Sequence, residues 1–271
     1  MAQQENAIHI VAINKWFRWP ENVVAEVKKE IVNFKGVPVI FLFPEAILGK
    51  SAIARESGKW LAKKLHEVCR EHGQAYCVYS VFEQRLRGTK GLEKRPLVTN
   101  TGYFVLPATN EKSAGYTAYP KISTYGGGKG LTLLDEYVFQ RNAPNFRQAV
   151  ENNYSLVKKI KSFPAFNIGG LKVEMRVCSD LMEEPNVDAH QARKGMDKKH
   201  LILVPAAALP LNSGDIEHLG KHLTPDGLAL ILDRVSGSLF SIHRENDSLA
   251  VRNLAKEKKV EHGRFRITHR V

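Results

Sequence analysis

Short apolar runs rich in β-branched residues alternate with longer amphipathic segments along the whole chain, and this alternation limits the folds open to it. Val37–Phe43 is a continuous apolar run of the kind that forms a strand covered on both faces. Asn22–Phe34 and Ser51–His72 instead carry apolar residues at helical spacing. Alternating strands and helices predict an α/β fold. The 271 residues show no composition break, repeat or low-complexity linker, so we expect a single domain over residues 1–271.

The same criteria place the remaining elements. Further strands are predicted at Ile8–Ile13, Ala75–Phe82, Thr101–Leu106, Leu171–Val177, His200–Pro205, Leu228–Asp233, Leu239–His243 and Arg264–Thr268. Further helices are predicted at Phe146–Lys161, Val187–Gly195 and Ile216–Leu223. The stretch Thr109–Gly130, which contains a cluster of glycines, is predicted to be a loop.

The net charge of +12 at pH 7 raises the question of an acidic partner. The lysines and arginines are spread along the chain rather than gathered in one tract, and no nucleic-acid recognition motif accompanies them. We therefore expect solvated basic faces and do not expect a nucleic-acid partner. Binding of a polyanion through the basic surface stays open as an alternative function.

The sequence gives no sign of secretion or of a membrane segment. The first residues, MAQQENA, have neither the basic region nor the apolar region of a secretory signal. The longest apolar stretch, Val37–Pro44, is far shorter than the roughly 20 residues that span a bilayer. Three cysteines, a small and odd number, argue against a disulfide framework and for a reducing compartment. A cytoplasmic protein is the expectation.

Three residues with catalytic side chains follow predicted strands or turns. Glu45 comes directly after the apolar run, Lys121 lies in the turn YPKIS, and Cys178 follows the strand Leu171–Val177. Ligand sites of α/β sheets gather at the carboxyl ends of strands. Taken singly, each residue also has a plain structural interpretation: a solvated turn carboxylate, a surface lysine and a small buried thiol.

The sequence around these three residues carries further motifs in a fixed order. They are FPE at 43–45, NT at 100–101, YPK at 119–121, CSD at 178–180 and LILVPAA at 201–207. From about Ile8 to Ala208, the order and spacing of these segments resemble the nitrilase, or carbon–nitrogen hydrolase, superfamily. One such motif is a weak signal, whereas five in register are a strong one.

The resemblance implies the four-layer α-β-β-α sandwich of that superfamily and a Glu-Lys-Cys triad on Glu45, Lys121 and Cys178. It further implies a second glutamate of the site at Glu136 in the segment LLDEYV, where Asp135 is the neighbouring competitor. It implies no metal and no other cofactor. A homodimer or a higher homo-oligomer is the expected assembly.

The residue types suit covalent catalysis at a carbon–nitrogen bond. A free thiol has a pKa of about 8.5 and needs a base or a positive neighbour to attack at neutral pH. Glu45 would accept the proton of Cys178, later protonate the leaving amine, and activate water. Lys121 and the backbone N–H of Ser179 would stabilise the oxyanion.

Other features depart from the superfamily pattern or suggest different chemistry. Ser179 stands where the superfamily usually has an aromatic residue, and the segment GLALILDRVSGSLFSI at 227–242 resembles its counterpart only loosely. A zinc site is a further reading of the histidines and cysteines between residues 66 and 77, but their spacing matches no common zinc pattern. These residues are His66, Cys69, His72 and Cys77.

The sequence thus predicts hydrolysis of an amide, carbamoyl or nitrile group of a small molecule through a Cys178 thioester. Two alternatives use the same fold. In the first, an amine rather than water resolves the thioester, which makes the protein an acyl or amine transferase. In the second, the chain is a catalytically inactive scaffold.

Overall fold

The computed structural model describes residues 7–48, 57–85, 97–107, 115–121, 163–178, 199–207, 209, 211–245, 248–257 and 264–270. Its first six strands are β1 (Ala7–Ile13), β2 (Val39–Leu42), β3 (Ala75–Arg85), β4 (Leu97–Val105), β5 (Tyr116–Pro120) and β6 (Ala165–Ile168). The next six are β7 (Leu171–Met175), β8 (Lys199–Ala206), β9 (Leu223–Asp233), β10 (Ser238–Glu245), β11 (Ser248–Asn253) and β12 (Arg264–Arg270). The α helices are α1 (Pro20–Ile31), α2 (Ser57–His72), α3 (Ser213–Lys221) and α4 (Leu254–Glu257).

The strands form two six-stranded sheets of closely similar plan. The first sheet has the order β12-β1-β2-β3-β4-β5, and the second has the order β11-β10-β9-β8-β7-β6. In each sheet three neighbouring strands are parallel, namely β1, β2 and β3 in the first and β7, β8 and β9 in the second. The flanking strands are antiparallel to their neighbours.

Successive apolar side chains of β1 and β2 point to opposite faces of the first sheet, and both faces are buried. Ile8 and Ile10 belong to the core shared with the second sheet, whereas Val11 and Ile13 pack with the apolar face of α1 and α2. The continuous run Val37–Phe43 divides in the same way, which explains why it contains no polar position. On the other side, α3 packs against β9, β10 and β11. The layers are therefore α-β-β-α, and the predicted fold class is confirmed.

The prediction of a loop over Thr109–Gly130 was wrong in its middle. Tyr116–Pro120 forms β5, paired antiparallel with β4 in the register Thr101↔Pro120 to Val105↔Tyr116. The tyrosines of this segment favour a strand, but the glycines around it dominated the sequence signal. Lys121 therefore follows a strand of the first sheet rather than a free turn.

Two short edge strands, β6 and β11, were also missed. Gly169 and Gly170 have φ of +57° and +88° and join β6 to β7 in a tight two-residue hairpin, a conformation that glycine adopts without steric cost. The helices predicted at Phe146–Lys161 and Val187–Gly195 lie outside the described residues. In the described part of the chain, no helix combines the length and the apolar character needed to cross a membrane.

Candidate active site

Glu45 lies in a turn that is tied to both sheets. The turn continues β2, because Phe43 N–H donates to Val78 O at 2.9 Å. The Glu45 N–H instead donates across to Ala206 O, at the end of β8 in the second sheet, at 3.3 Å. The Glu45 side chain is buried, with 5% of the residue exposed. The general base predicted from the sequence therefore lies where the carboxyl ends of parallel strands from both sheets meet.

Lys121 reaches this carboxylate from the end of β5. Its Nζ donates to Glu45 Oε1 at 2.8 Å, and both side chains are buried. The side-chain amide of Asn100, on β4, donates to the same oxygen. Lys121 is held in turn by its backbone N–H, which donates to Asn100 O at 2.7 Å. A buried carboxylate requires such partners, and here one oxygen, Oε1, receives both side-chain donors.

Cys178 follows β7 in a backbone conformation that L-residues adopt rarely. Its φ is +49°, in the left-handed region, and such strain at a non-glycine residue is typical of functional sites. The residue is 4% exposed, and its Sγ lies 3.9 Å from Ala207 O. The preceding residue is fixed by the Tyr119 hydroxyl, which accepts the Val177 N–H at 2.6 Å.

Gly102 on β4 allows the two sheets to approach closely beneath the nucleophile. A Cβ at this position would lie 2.7 Å from Val177 Cγ2 and 2.9 Å from the Tyr119 ring. Both neighbours belong to the segments that hold Cys178 and Lys121. The glycine is therefore required for space rather than for backbone conformation.

The surroundings of the thiol keep it protonated at rest. The pKa of Cys178 is raised to about 12, chiefly by burial and then by the charge of Glu45 and a hydrogen bond to it, while Lys121 and the Ala207 backbone act in the opposite direction. At neutral pH the resting site therefore holds a thiol beside a carboxylate. Attack by sulfur requires that a base remove the proton, and the partner of Cys178 that can accept a proton is Glu45.

The structure brings together the three residues that the sequence predicts as a triad. It says nothing of Glu136 or of the Ser179 N–H, which lie outside the described residues and stay predictions. Sequence reasoning assigned no role to Tyr119 or to the Asn100 side chain, although both belong to motifs that it singled out. It also missed Arg234, whose guanidinium contacts the turn of Glu45.

The four residues of the alternative zinc reading have other partners. The His66 ring donates from Nδ1 to Leu106 O at 2.8 Å, and the His72 ring donates to Phe34 O at 2.8 Å. Cys69 and Cys77 are fully buried with their sulfurs 3.7 Å apart. Among the described residues, no group of three or more His, Cys, Asp or Glu side chains could hold a metal ion.

Comparison with known proteins shows likeness in structure but not in sequence. No protein-family model matches the chain, and no curated protein sequence matches it. Among solved structures, a cysteine-to-alanine variant of the Nesterenkonia AN1 amidase from the nitrilase superfamily matches with a TM-score of 0.54 and 13% identity, covering 97% of this chain and 90% of the amidase. A second variant of that amidase, with the acetamide moiety of fluoroacetamide added covalently at its active-site cysteine, matches with a TM-score of 0.52 and 14% identity, covering 93% and 91%.

A third similar structure is a glutamine-dependent NAD(+) synthetase from Cytophaga hutchinsonii. It matches with a TM-score of 0.52 and 12% identity, covering 98% of this chain and 43% of the synthetase. At this level of identity the likenesses establish the fold. The chain has the α-β-β-α fold of the nitrilase superfamily.

Proposed function

We propose that the chain is a cysteine-dependent carbon–nitrogen hydrolase that acts on an amide, carbamoyl or nitrile group of a small molecule. One observation carries the proposal. A thiol, a carboxylate and an ammonium group, on Cys178, Glu45 and Lys121, are buried together where the strand ends of the two sheets meet. Burying such groups in one place is costly for folding alone, so their convergence favours catalysis.

The first half of the reaction on an amide forms a thioester. Glu45 accepts the thiol proton as Cys178 Sγ attacks the carbonyl carbon, and the carbonyl electrons move onto oxygen. Lys121 and Asn100 both donate to Oε1 of Glu45, and we assign the transferred proton to Oε2. The Lys121 ammonium stabilises the oxyanion. Glu45 then gives its proton to the nitrogen, the C–N bond breaks, and the amine leaves.

The second half regenerates the thiol. Water attacks the thioester carbon while Glu45 accepts a proton from it, and a second tetrahedral oxyanion forms beside Lys121. This intermediate collapses with cleavage of the C–S bond, and sulfur recovers a proton from Glu45. The products are a carboxylic acid and an amine or ammonia. The Ser179 N–H, predicted from the sequence, would add a second oxyanion donor.

The structural neighbours support this chemistry without specifying the substrate. A variant of the Nesterenkonia amidase carries the acetamide moiety of fluoroacetamide on its active-site cysteine, so a cysteine in this fold can be a nucleophile. The fold is what the comparison establishes for this chain, and the buried Cys178, Glu45 and Lys121 are the chain's own support for the chemistry. A homo-oligomer, a single domain over residues 1–271 and a cytoplasmic location stay predictions.

Incubation with a panel of primary amides, N-carbamoyl compounds and nitriles tests the proposal. We expect at least one class of compound to release ammonia, together with an equal amount of the matching carboxylic acid from an amide or a nitrile, or of the parent amine from an N-carbamoyl compound. Added hydroxylamine separates hydrolysis from transfer, because a transferase would convert most of the thioester into hydroxamate. A protein that folds, as judged by circular dichroism, and releases no ammonia from any class would contradict the proposal and favour the scaffold.

A further inference from the structure

We propose that Arg234, directly after strand β9 of the second sheet, is a positioning residue that fixes the backbone of Glu45 and so aims the general base at Cys178. This inference rests on the proposed function for its catalytic consequence. Arg234 follows β9, and its guanidinium Nη1 donates to Glu45 O at 3.2 Å and to Ala46 O at 3.1 Å.

The contacts of Arg234 complete a link between the two halves of the molecule. The Arg234 N–H donates to Ala206 O at 3.1 Å, and the same carbonyl accepts the Glu45 N–H at 3.3 Å. Both backbone polar groups of Glu45 therefore bond to the second sheet. The neighbouring Ala207 carbonyl lies beside Cys178 Sγ. The short segment 206–207 therefore contacts Glu45, Cys178 and Arg234, and holds the three residues in fixed positions relative to one another.

The turn at Glu45 needs this support because its conformation is unfavourable. Ala46 has a φ of +55°, which a residue with a Cβ rarely adopts. The two N–H groups that follow Glu45 are held from the first sheet, where Ala46 N–H donates to Ser80 Oγ at 3.1 Å and Ile47 N–H donates to Ser80 O at 3.0 Å. The carbonyls are held by Arg234 from the second sheet. Loss of either support would let the turn relax.

Trp16 holds the guanidinium in place from its other side. The Arg234 guanidinium carbon lies 3.8 Å from the centre of the Trp16 ring, within the range of a cation–π contact. The loop that carries Trp16 is joined to the same region, because Asn14 Nδ2 donates to Asp233 O at 3.2 Å. A planar guanidinium can stack face-on against a ring while it donates to two carbonyls, whereas a lysine ammonium has no flat face with which to stack.

The matched substitutions Arg234→Lys and Arg18→Lys test the proposal. Both keep the positive charge and both alter a cation–π contact, but Arg18 lies over Trp19 at 5.4 Å, whereas the hydrogen bonds to the carbonyls of the Glu45 turn come from Arg234. We expect Arg234→Lys to lower kcat on the best amide about 100-fold, with KM changed less than about 3-fold, because a misplaced base impairs chemistry more than binding. Arg18→Lys should match the unsubstituted protein.

A second readout does not depend on turnover. The charge of Glu45 raises the pKa of Cys178, so a displaced carboxylate should raise it less. The pH midpoint for alkylation of Cys178 by iodoacetamide, followed by peptide mass spectrometry, should therefore fall in Arg234→Lys and stay unchanged in Arg18→Lys. Cys69 and Cys77 are fully buried and report any unfolding. Unchanged kcat and unchanged midpoint in Arg234→Lys would overturn the inference.

Rescue by glycine separates positioning from general stability. Glycine adopts a positive φ without steric cost, so Ala46→Gly should reduce the need for Arg234. The double variant should recover about 10-fold in kcat over Arg234→Lys, with Ala46→Gly alone close to normal. If the kcat of the double variant is lowered by the product of the two single effects, without any recovery, the proposal is contradicted. If the unsubstituted protein hydrolyses no amide, the proposed function fails, while the alkylation midpoints still decide the role of Arg234.

Discussion

Cys178→Ala is expected to abolish amide turnover, with a loss of about 10⁴-fold or more, because no other group described at the site can form the covalent intermediate. Sγ lies among buried groups and close to Ala207 O, so its removal leaves a small space and should have little effect on the fold. The loss should therefore appear in ammonia release and not in the circular dichroism spectrum.

Cys69→Ala is the matched control for this substitution. Cys69 is also a fully buried cysteine, but it packs beside Cys77 between α2 and β3, away from the triad. Its replacement should lower stability modestly and leave turnover per folded molecule unchanged. Full activity in Cys178→Ala, or equal losses in the two variants, would show that Cys178 is not the nucleophile.

Glu45→Gln is expected to reduce turnover by about 10³-fold while it lowers the pKa of Cys178. In the native site this pKa is raised to about 12, because burial together with the charge and the hydrogen bond of Glu45 outweighs the lowering by Lys121. Removing the carboxylate leaves the lysine, so the thiolate should form at lower pH than in the native site. If Cys178 ionises more easily and turnover still falls, Glu45 is needed as a base, and the acidity of the thiol alone does not set the rate.

Lys121→Met is the companion to that experiment. It removes the ammonium that favours the thiolate, so the pKa of Cys178 should not fall, and turnover should drop about 10²-fold from loss of the oxyanion partner. For Glu45→Gln and for Lys121→Met, the pKa of Cys178 is read from the pH midpoint of its alkylation by iodoacetamide. Lys64→Met, at an exposed ion pair with Glu67, is the control. A midpoint that falls in Lys121→Met, or stays constant in Glu45→Gln, would contradict these roles.

Strands whose own residue pattern reflects their burial could be predicted from the sequence. The run Val37–Phe43 contains no polar position because both of its faces are buried, so its pattern alone was sufficient for the strand and for the turn that carries Glu45. The alternating segment before Cys178 was equally informative. By contrast, Tyr116–Pro120 is a strand because it pairs with β4, and that partner is not visible in its own sequence. The placement of Lys121 depends on this pairing.

The contacts that assemble the site join residues far apart in the chain. The Asn100 side chain bonds to Glu45 across 55 positions, and Arg234 bonds to it across 189. No periodicity or spacing rule relates such residues. The segment at 227–242, which resembles its superfamily counterpart only loosely, supplies most of β9, the start of β10 and the arginine between them. Its unusual sequence therefore contributes directly to the site.

The most direct measurement of the central claim is intact-protein mass spectrometry during turnover of an active amide, with peptide mapping of the trapped species. We predict a mass increase equal to one acyl group, located on Cys178, which decays when the substrate is exhausted and is absent from Cys178→Ala. We also expect any adduct formed in Glu45→Gln to accumulate, because the base for hydrolysis is missing. Turnover with no adduct on Cys178 under any condition, or an adduct that persists in Cys178→Ala, would contradict a catalytic role for Cys178 as nucleophile.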